Sequence, residues 1–483
     1  MKSLFINPPS FEGFDGGAGS RYQARREVRS FWYPTWLAQA AAMVPDSKLI
    51  DAPPNDLTVD QIAPLAKDYE LIVLHTSAPS FSNDAKFAAR LKAENPNVTI
   101  GMVGAYVGVR PVPSMTSATA VDWMAVGEFD FTCLDVAARK PLRDVLGIAY
   151  RENGSIAFTA PRPKLENFDE LPSVLPVYRR DLNIETYFNG YLDHPYVSLY
   201  TGRGCRSKCT FCLWPQTIGG HLYRVRSVES VEAEMTMAKR LFPEVREFFF
   251  DDDTLTDNLP RVEEIAKVMG RLGLTWSCNA KAIVPRKTLE VLKENGLRLL
   301  LVGYESGNQQ ILNNIKKGVR LDIARRFSRD ARELGIKIHG TFIVGLPGET
   351  PETLKETIRF ACEVEPETIQ VSLAAPYPGT ELHRQALENG WLQMETGELV
   401  DQHGVQNAML NYPGLTSTMI YKSLDEFYRA FYFRPRKMFS LFSGMLRDPR
   451  VMRRRLREGG EFFRFLGERK KKDKAKLAAA AAG

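Results

Sequence analysis

Three cysteines stand close together in Gly202-Arg203-Gly204-Cys205-Arg206-Ser207-Lys208-Cys209-Thr210-Phe211-Cys212, just after the apolar run Tyr196–Tyr200. Three thiolates on one short, glycine-bearing loop suit three corners of a cubane iron–sulfur cluster, with the fourth iron left open for a ligand. Zinc also takes clustered cysteines, but a structural zinc site needs four ligands, and His194 and His221 flank the loop as candidates for the fourth. A disulfide fits poorly. Three close cysteines leave one unpaired, and nothing marks the chain as secreted. Cys133, Cys278 and Cys362 are scattered and read as small buried hydrophobes.

Further along lie other residues able to hold a ligand. Phe248-Phe-Phe-Asp251-Asp252-Asp253-Thr254 places adjacent carboxylates at the end of an apolar run, where they can accept from an amine or hydroxyl, or cap a following helix. Val302-Gly-Tyr-Glu305-Ser-Gly307 sets one acid among small neighbours. Phe342-Ile-Val-Gly345-Leu-Pro-Gly348-Glu349-Thr350 brings glycines close to a ligand, and Glu349 also suits a helix N-terminus. Ala375-Pro376-Tyr-Pro378-Gly379-Thr380 is a rigid turn.

Two βα series must position these residues. In the first 140 residues, Leu4–Ile6, Lys48–Ile50, Leu71–Leu74, Val98–Val103 and Val121–Val126 read as strands, with a helix over Asp84–Glu94. The alternation predicts a Rossmann-like α/β domain, a parallel sheet covered by helices on both sides. Ligands in such folds lie at the carboxyl ends of the strands, which here carry Asn7-Pro8-Pro9, His75-Thr76-Ser77, Gly104-Ala105-Tyr106 and Gly127-Glu128. Residues 141–190, rich in proline and charge, read as an ordered linker. A second series over 191–400 places strands at Tyr196–Tyr200, Glu247–Phe250, Thr275–Asn279, Leu299–Val302, Ile338–Val344 and Ile369–Leu373. Ser230–Arg240, Arg261–Arg271 and Leu321–Leu334 read as its helices. Six such strands suggest a partial (β/α)6 barrel, with its site at the strand C-termini.

At 483 residues, 44% hydrophobic and 25% charged, the chain reads as a soluble globular protein of two or three domains. The opening apolar run is too short for a signal peptide, and no stretch is long enough to span a bilayer. The net charge of +6 is local in origin. Residues 434–476 hold 16 Lys/Arg against 5 Asp/Glu, so the rest of the chain is acidic by five. In the C-terminal region, 401–483, aromatic and aliphatic residues interleave with Arg and Lys, as in Met438–Phe442 and Phe462–Leu466. That pattern suits a helix lying in a membrane interface better than a nucleic-acid surface, because phosphate binding does not call for so many Phe, Leu and Met residues. Residues 469–483 are Lys/Ala-rich and read as disordered.

Taken in order, the cysteine loop and the DDDT (251–254), GYESG (303–307), FIVGLPGET (342–350) and PYPGT (376–380) elements resemble the radical S-adenosylmethionine (SAM) superfamily. The resemblance covers residues 1 to about 435. It is strongest to the class in which a Rossmann-like cobalamin-binding domain precedes the barrel. It implies an enzyme with a [4Fe-4S] cluster on Cys205, Cys209 and Cys212, reductive cleavage of SAM to a 5′-deoxyadenosyl radical, and a one-electron donor such as flavodoxin or ferredoxin. Phe211 would lie against the adenine, with Asp251, Asp252, Asp253, Glu305 and Gly345 around the remainder of SAM. Asn7, Ser77, Gly104, Tyr106, Gly127 and Glu128 would line a cobalamin site. Two departures stand out. There is no Asp-x-His-x-x-Gly motif, so an imidazole ligand to cobalt of that kind is not expected. The usual Gly-Gly-His-like turn is Gly104-Ala105-Tyr106.

The segments Phe5–Ala24 and Ser30–Leu37 are similar to the hopanoid-biosynthesis-associated radical SAM proteins. That narrower resemblance implies radical contraction of the amino-sugar ring of bacteriohopanetetrol glucosamine to the cyclitol ether. The polar Gly13–Gly19 loop, with Arg21, Arg25 and Arg26, would cover the sugar headgroup or serve as a simple lid. The alternatives are a cobalamin-dependent methyltransferase acting on a lipid or another unactivated carbon, and a non-enzymatic iron–sulfur or cobalamin sensor. A hopanoid substrate implies a cytoplasmic protein held at the inner face of the membrane by its basic tail, with no nucleic-acid partner.

Overall fold

The structure, a computed structural model, describes residues 1–11, 30–392 and 407–439, with positions 443, 452–453, 456–457 and 459–461 beyond them. The Gly13–Gly19 loop with Arg21, Arg25 and Arg26 lies outside the described residues, as do Ser440–Phe442 and Phe462–Leu466 of the tail.

The first sheet is built from β1 (Ser3–Asn7), β2 (Ser47–Asp51), β3 (Leu71–His75), β4 (Thr99–Val103) and β5 (Trp123–Ala125), followed by a hairpin of β6 (Ile148–Glu152) and β7 (Ser155–Phe158). Its order is β2-β1-β3-β4-β5-β6-β7. β1 to β5 are parallel, and the hairpin continues the sheet antiparallel. β1 and β3 are buried at every position, as a parallel strand covered on both faces must be. One face takes Leu71 and Val73 into a core shared with the helix Thr35–Met43 and the second half of the chain. The other takes Ile72 and Leu74 under the helix Phe81–Glu94.

The stretch 141–190 is therefore more than a linker. Its first part adds two strands to the sheet. Proline and charge disguised the hairpin because β7 is an edge strand with no fully buried position. The rest packs between the halves: Tyr178 donates to Thr35 Oγ1 (2.7 Å) and Tyr187 to Asp51 Oδ2 (2.6 Å).

The second sheet holds β8 (Tyr196–Leu199), β11 (Glu247–Phe250), β12 (Trp276–Ala280), β13 (Leu297–Glu305), β14 (Lys337–Val344) and β15 (Thr368–Leu373). The short strands β9 (Gly202–Arg203) and β10 (Arg224–Val225) form a separate antiparallel ribbon. The order β15-β14-β13-β12-β11-β8 is parallel throughout, and its first and last strands do not pair with each other. This is an open six-stranded half-barrel. The free N–H groups of an outer strand invite unwanted pairing. Here Val371 N donates to Tyr428 Oη and Ile369 N to Tyr432 Oη, both at 3.0 Å, from the helix Ser417–Tyr432.

Candidate active site

The cysteine loop leaves β9 through Gly204, which has φ +91°. A Cβ there would stand 2.1 Å from the carbonyl oxygen of Leu222, so only glycine passes. Backbone bonds hold the loop at both ends: Cys205 N donates to Gly220 O (3.2 Å) and Thr210 N to Ile315 O (3.0 Å). Gln216 Nε2 reaches back to the carbonyls of Cys209, Thr210 and Cys212 at 3.2, 3.2 and 2.7 Å. Its Oε1 accepts from Glu381 N at 2.8 Å, which fixes the amide. No sequence pattern announced Gln216.

The loop suits an iron–sulfur cluster. Cys205 and Cys209 are buried and Cys212 half-buried. Burial pushes the Cys209 and Cys212 thiols above the ordinary range, and the other loop thiols add to this. A bound metal would remove those protons. Lys317, unnoticed in the sequence, supplies positive charge nearby. Burial opposes its ammonium, but Glu305 and Cys209 outweigh that and hold it charged. Zinc finds no fourth ligand in the histidines. His194 lies at the other end of β8 between Tyr187 O (3.2 Å) and Glu185 Oε2 (3.0 Å). His221 is exposed, with Nδ1 2.9 Å from Ser207 O. Among the described residues, no three His, Cys, Asp or Glu side chains gather for a single ion.

Glu305 ends β13 at φ +64°, just past a register shift between Gly303 and Glu305. A left-handed conformation is costly outside glycine, and such strain collects at functional sites. The bend brings the buried carboxylate 2.7 Å from Lys317 Nζ.

The acidic turn divides its labour differently from the sequence expectation. Asp252 accepts from Thr201 N (2.6 Å), Thr201 Oγ1 (2.7 Å) and Tyr223 Oη (2.6 Å). Asp253 Oδ2 accepts from Gly204 N at 3.2 Å. These two acids anchor the cysteine loop, where all three were expected around SAM. Asp251 accepts from Asn279 Nδ2 at 3.2 Å, and Asn279 at the end of β12 joins the site unannounced. Glu349 folds back within its turn. Its Oε2 accepts from Gly345 N (2.6 Å) and Leu346 N (3.1 Å), and burial pushes its carboxyl up to about 8. Phe211 is half-buried against the shared core. Cys133 and Cys278 are fully buried, as expected of small hydrophobes, whereas Cys362 is only half-buried, its Sγ 3.6 Å from Ala430 O.

The carboxyl ends of β3 and β4 face the cysteine loop across a cleft of about 430 Å³, including its open mouth. Ser77 and Tyr106 line one wall, and Leu213, Trp214, Tyr377 and Pro378 the other. Small residues and ring faces suit part of a flat macrocycle. A corrin with its amide arms exceeds this volume, so only part of one would lie between these walls. Gly104 (φ +130°) lets β4 meet the β3 turn, since a Cβ would stand 2.1 Å from Thr76 O. Asn7 is turned away to Asp51, with Nδ2 2.6 Å from Oδ1. Glu128 does not reach the cleft as a free acid. It is paired with Arg224 (2.5 and 3.0 Å) on β10, and Gly127 precedes it at φ +94°. Beside that pair, Arg203 grips Asp130 and lies 3.9 Å over Trp36, which in turn stacks on Trp214 at 5.9 Å.

Comparison with known proteins agrees with this geometry. The family pattern described as the Radical SAM superfamily matches residues 199–361. An uncharacterised methyltransferase of Pyrococcus horikoshii is 31% identical over 448 residues, 90% of this chain and 93% of that protein. The hopanoid C-3 methylase of Methylococcus capsulatus is 30% identical over 239 residues, 47% of this chain and 44% of that one. Among solved structures, the radical SAM methyltransferase TsrM of Kitasatospora setae, with cobalamin and a [4Fe-4S] cluster bound, superposes with a TM-score of 0.64 at 13% identity. The match covers 89% of this chain and 88% of TsrM. The half-barrel, the cysteine loop at its mouth and the extent of these matches lead to one conclusion: the chain belongs to the radical SAM superfamily.

Proposed function

We propose that this enzyme cleaves SAM at the Cys205–Cys212 loop and directs the resulting radical at an unactivated carbon, to which a methyl group is then transferred. The observation that carries this reading is the shared wall of the cleft: Leu213 and Trp214 directly follow Cys212 and face the ends of β3 and β4. Cys205, Cys209 and Cys212 would hold a [4Fe-4S] cluster. Glu305, with Lys317, would receive the polar parts of SAM, and the cleft would receive cobalamin. When bound, the cluster supplies the electron that breaks the sulfonium bond, and cobalamin supplies methyl-transfer chemistry. The chain itself orients these groups and excludes water. Methyl transfer is supported by the names of the relatives, one of which acts on a hopanoid.

A second reading is favoured by the segments Phe5–Ala24 and Ser30–Leu37, with their likeness to the hopanoid-biosynthesis-associated proteins. On it, the substrate radical rearranges, contracting the amino-sugar ring of bacteriohopanetetrol glucosamine to the cyclitol ether. Both readings suit a membrane lipid. Phe439 (74% exposed) and Leu456 (61%) project beside exposed Arg436 and Arg457, which suits contact with an anionic inner leaflet. No helix among the described residues is long and apolar enough to cross a membrane. A flavodoxin- or ferredoxin-class protein would supply the electron.

The deciding experiment is anaerobic incubation of reduced, reconstituted enzyme with SAM and a hopanoid-containing lipid extract, followed by mass analysis. Methyl transfer gives S-adenosylhomocysteine, 5′-deoxyadenosine and a lipid heavier by one methylene. Ring contraction gives 5′-deoxyadenosine without S-adenosylhomocysteine. If neither nucleoside forms, both readings fall.

A further inference from the structure

The carboxyl end of β3 carries an imidazole for which the described structure provides no use. His75, the last residue of β3, is 3% exposed and lines the cleft with Thr76, Ser77 and Tyr106. Its Nδ1 has no hydrogen-bond partner. A buried polar atom left unpaired destabilises the fold and calls for an explanation, such as a ligand that the site is built to receive. Burial also pulls the ring's pKa down to about 4, so at neutral pH it carries no proton charge. A neutral imidazole with an unused ring nitrogen is a metal ligand in waiting.

Its placement narrows the ligand. Strand alternation puts His75 on the same face as Leu71 and Val73, the face buried in the core shared with the half-barrel. In that core Asn7 and Tyr187 both donate to Asp51, and Trp123 Nε1, also without a partner, is an N–H that can only donate. Tyr106, across the cleft, packs on Phe81 at 5.1 Å beneath Arg110. His75 is thus the nitrogen donor left over where the first sheet meets the cleft. The strand pattern already placed His75 at a ligand-facing strand end, but it stands in His75-Thr-Ser-Ala-Pro79 and not in an Asp-x-His-x-x-Gly motif, so no motif marked it as a cobalt ligand.

Resting on the cobalamin reading above, we propose that His75 is the protein ligand to cobalt on the side of the corrin that meets the first sheet. The test is electron paramagnetic resonance of full-length protein loaded with cobalamin and reduced to the cobalt(II) state. A single coordinated nitrogen-14 splits each resolved cobalt line into three. In protein uniformly labelled with nitrogen-15 and loaded with unlabelled cobalamin, His75 ligation turns three lines into two. The His75→Ala variant loses that splitting while still retaining cobalamin. Three lines that ignore the protein label would show the cofactor's own base as ligand, and an unsplit spectrum would show no nitrogen ligand. Either result overturns the His75 assignment and leaves cobalamin binding intact, as does protein-derived splitting that survives His75→Ala. If wild-type protein retains no cobalamin, the cobalamin reading fails and this proposal fails with it. The labelling arm uses wild-type protein, so it stands even where the variant folds poorly.

Discussion

Arg203 and Asp130 form a buried two-point ion pair, with guanidinium–carboxylate contacts of 2.6 and 3.0 Å, that ties the approach to the cysteine loop to the first sheet's helix Asp130–Ala137. Trp36 covers the guanidinium at 3.9 Å. Both charges are out of water, so removing one leaves the other stranded. We expect Asp130→Asn to destabilise the protein by about 3–5 kcal/mol, read by denaturant unfolding. Arg203→Lys keeps the charge but loses the forked geometry and is expected to fall short of wild type. Wild-type stability in either variant would remove the pair from the account of how the halves are joined.

Replacing Cys205, Cys209 or Cys212 singly with alanine should abolish SAM cleavage and bound iron together. Cys133→Ala and Cys278→Ala should keep their iron, at a cost in stability alone. Iron and acid-labile sulfide analysis after anaerobic reconstitution checks both halves of the statement. Iron retained at wild-type level by a loop variant would refute the ligand assignment.

Gly204→Ala probes the loop without touching a ligand. The added methyl group meets Leu222 O, and the residue must hold φ +91°. The left-handed conformation alone costs about 1–2 kcal/mol outside glycine. The contact must also displace the loop, so cluster occupancy should fall further than global stability does. Equal losses in iron content and unfolding free energy would argue against a local effect.

Glu349 makes stability depend on pH. Burial raises its folded carboxyl to about 8 from an ordinary 4.5, so the folded state holds a proton that the unfolded chain releases. Its contribution is full below about pH 4.5 and is lost as pH rises towards 8, by up to about 1.4 kcal/mol per pH unit. Glu349→Gln mimics the protonated form and should flatten that part of the profile. Denaturant midpoints of both proteins across pH 5 to 8, a range set by about those two pKa values, provide the check. Parallel profiles would exclude Glu349 as the source.

Much of the fold was legible because buried parallel strands are near-continuous apolar runs, and eleven of them stand out in the sequence, Glu247–Phe250 to the residue. The β6–β7 hairpin was not, since an edge strand such as Ser155–Phe158 buries too little to imprint a pattern. Within the site, the cysteines were legible from their spacing alone. The acidic turn showed its residue types but not its directions. Asp252 and Asp253 turned inwards because the loop's own backbone and hydroxyl donors needed acceptors, a demand visible only once Thr201 and Gly204 stand beside them. Lys317 and Gln216 were hidden because each is a side chain of an ordinary type whose partners, Glu305 for one and the carbonyls of Cys209, Thr210 and Cys212 for the other, no spacing rule singles out.

The stack of Trp36 on Trp214 has a mechanical consequence. Trp214 is two residues beyond Cys212, and Trp36 opens the helix that packs beneath β1 and β2. The two stacked rings therefore brace the start of that helix against the segment that follows the cysteine loop. The position of the indole that follows the cysteine loop is thus set in part from the first half of the chain.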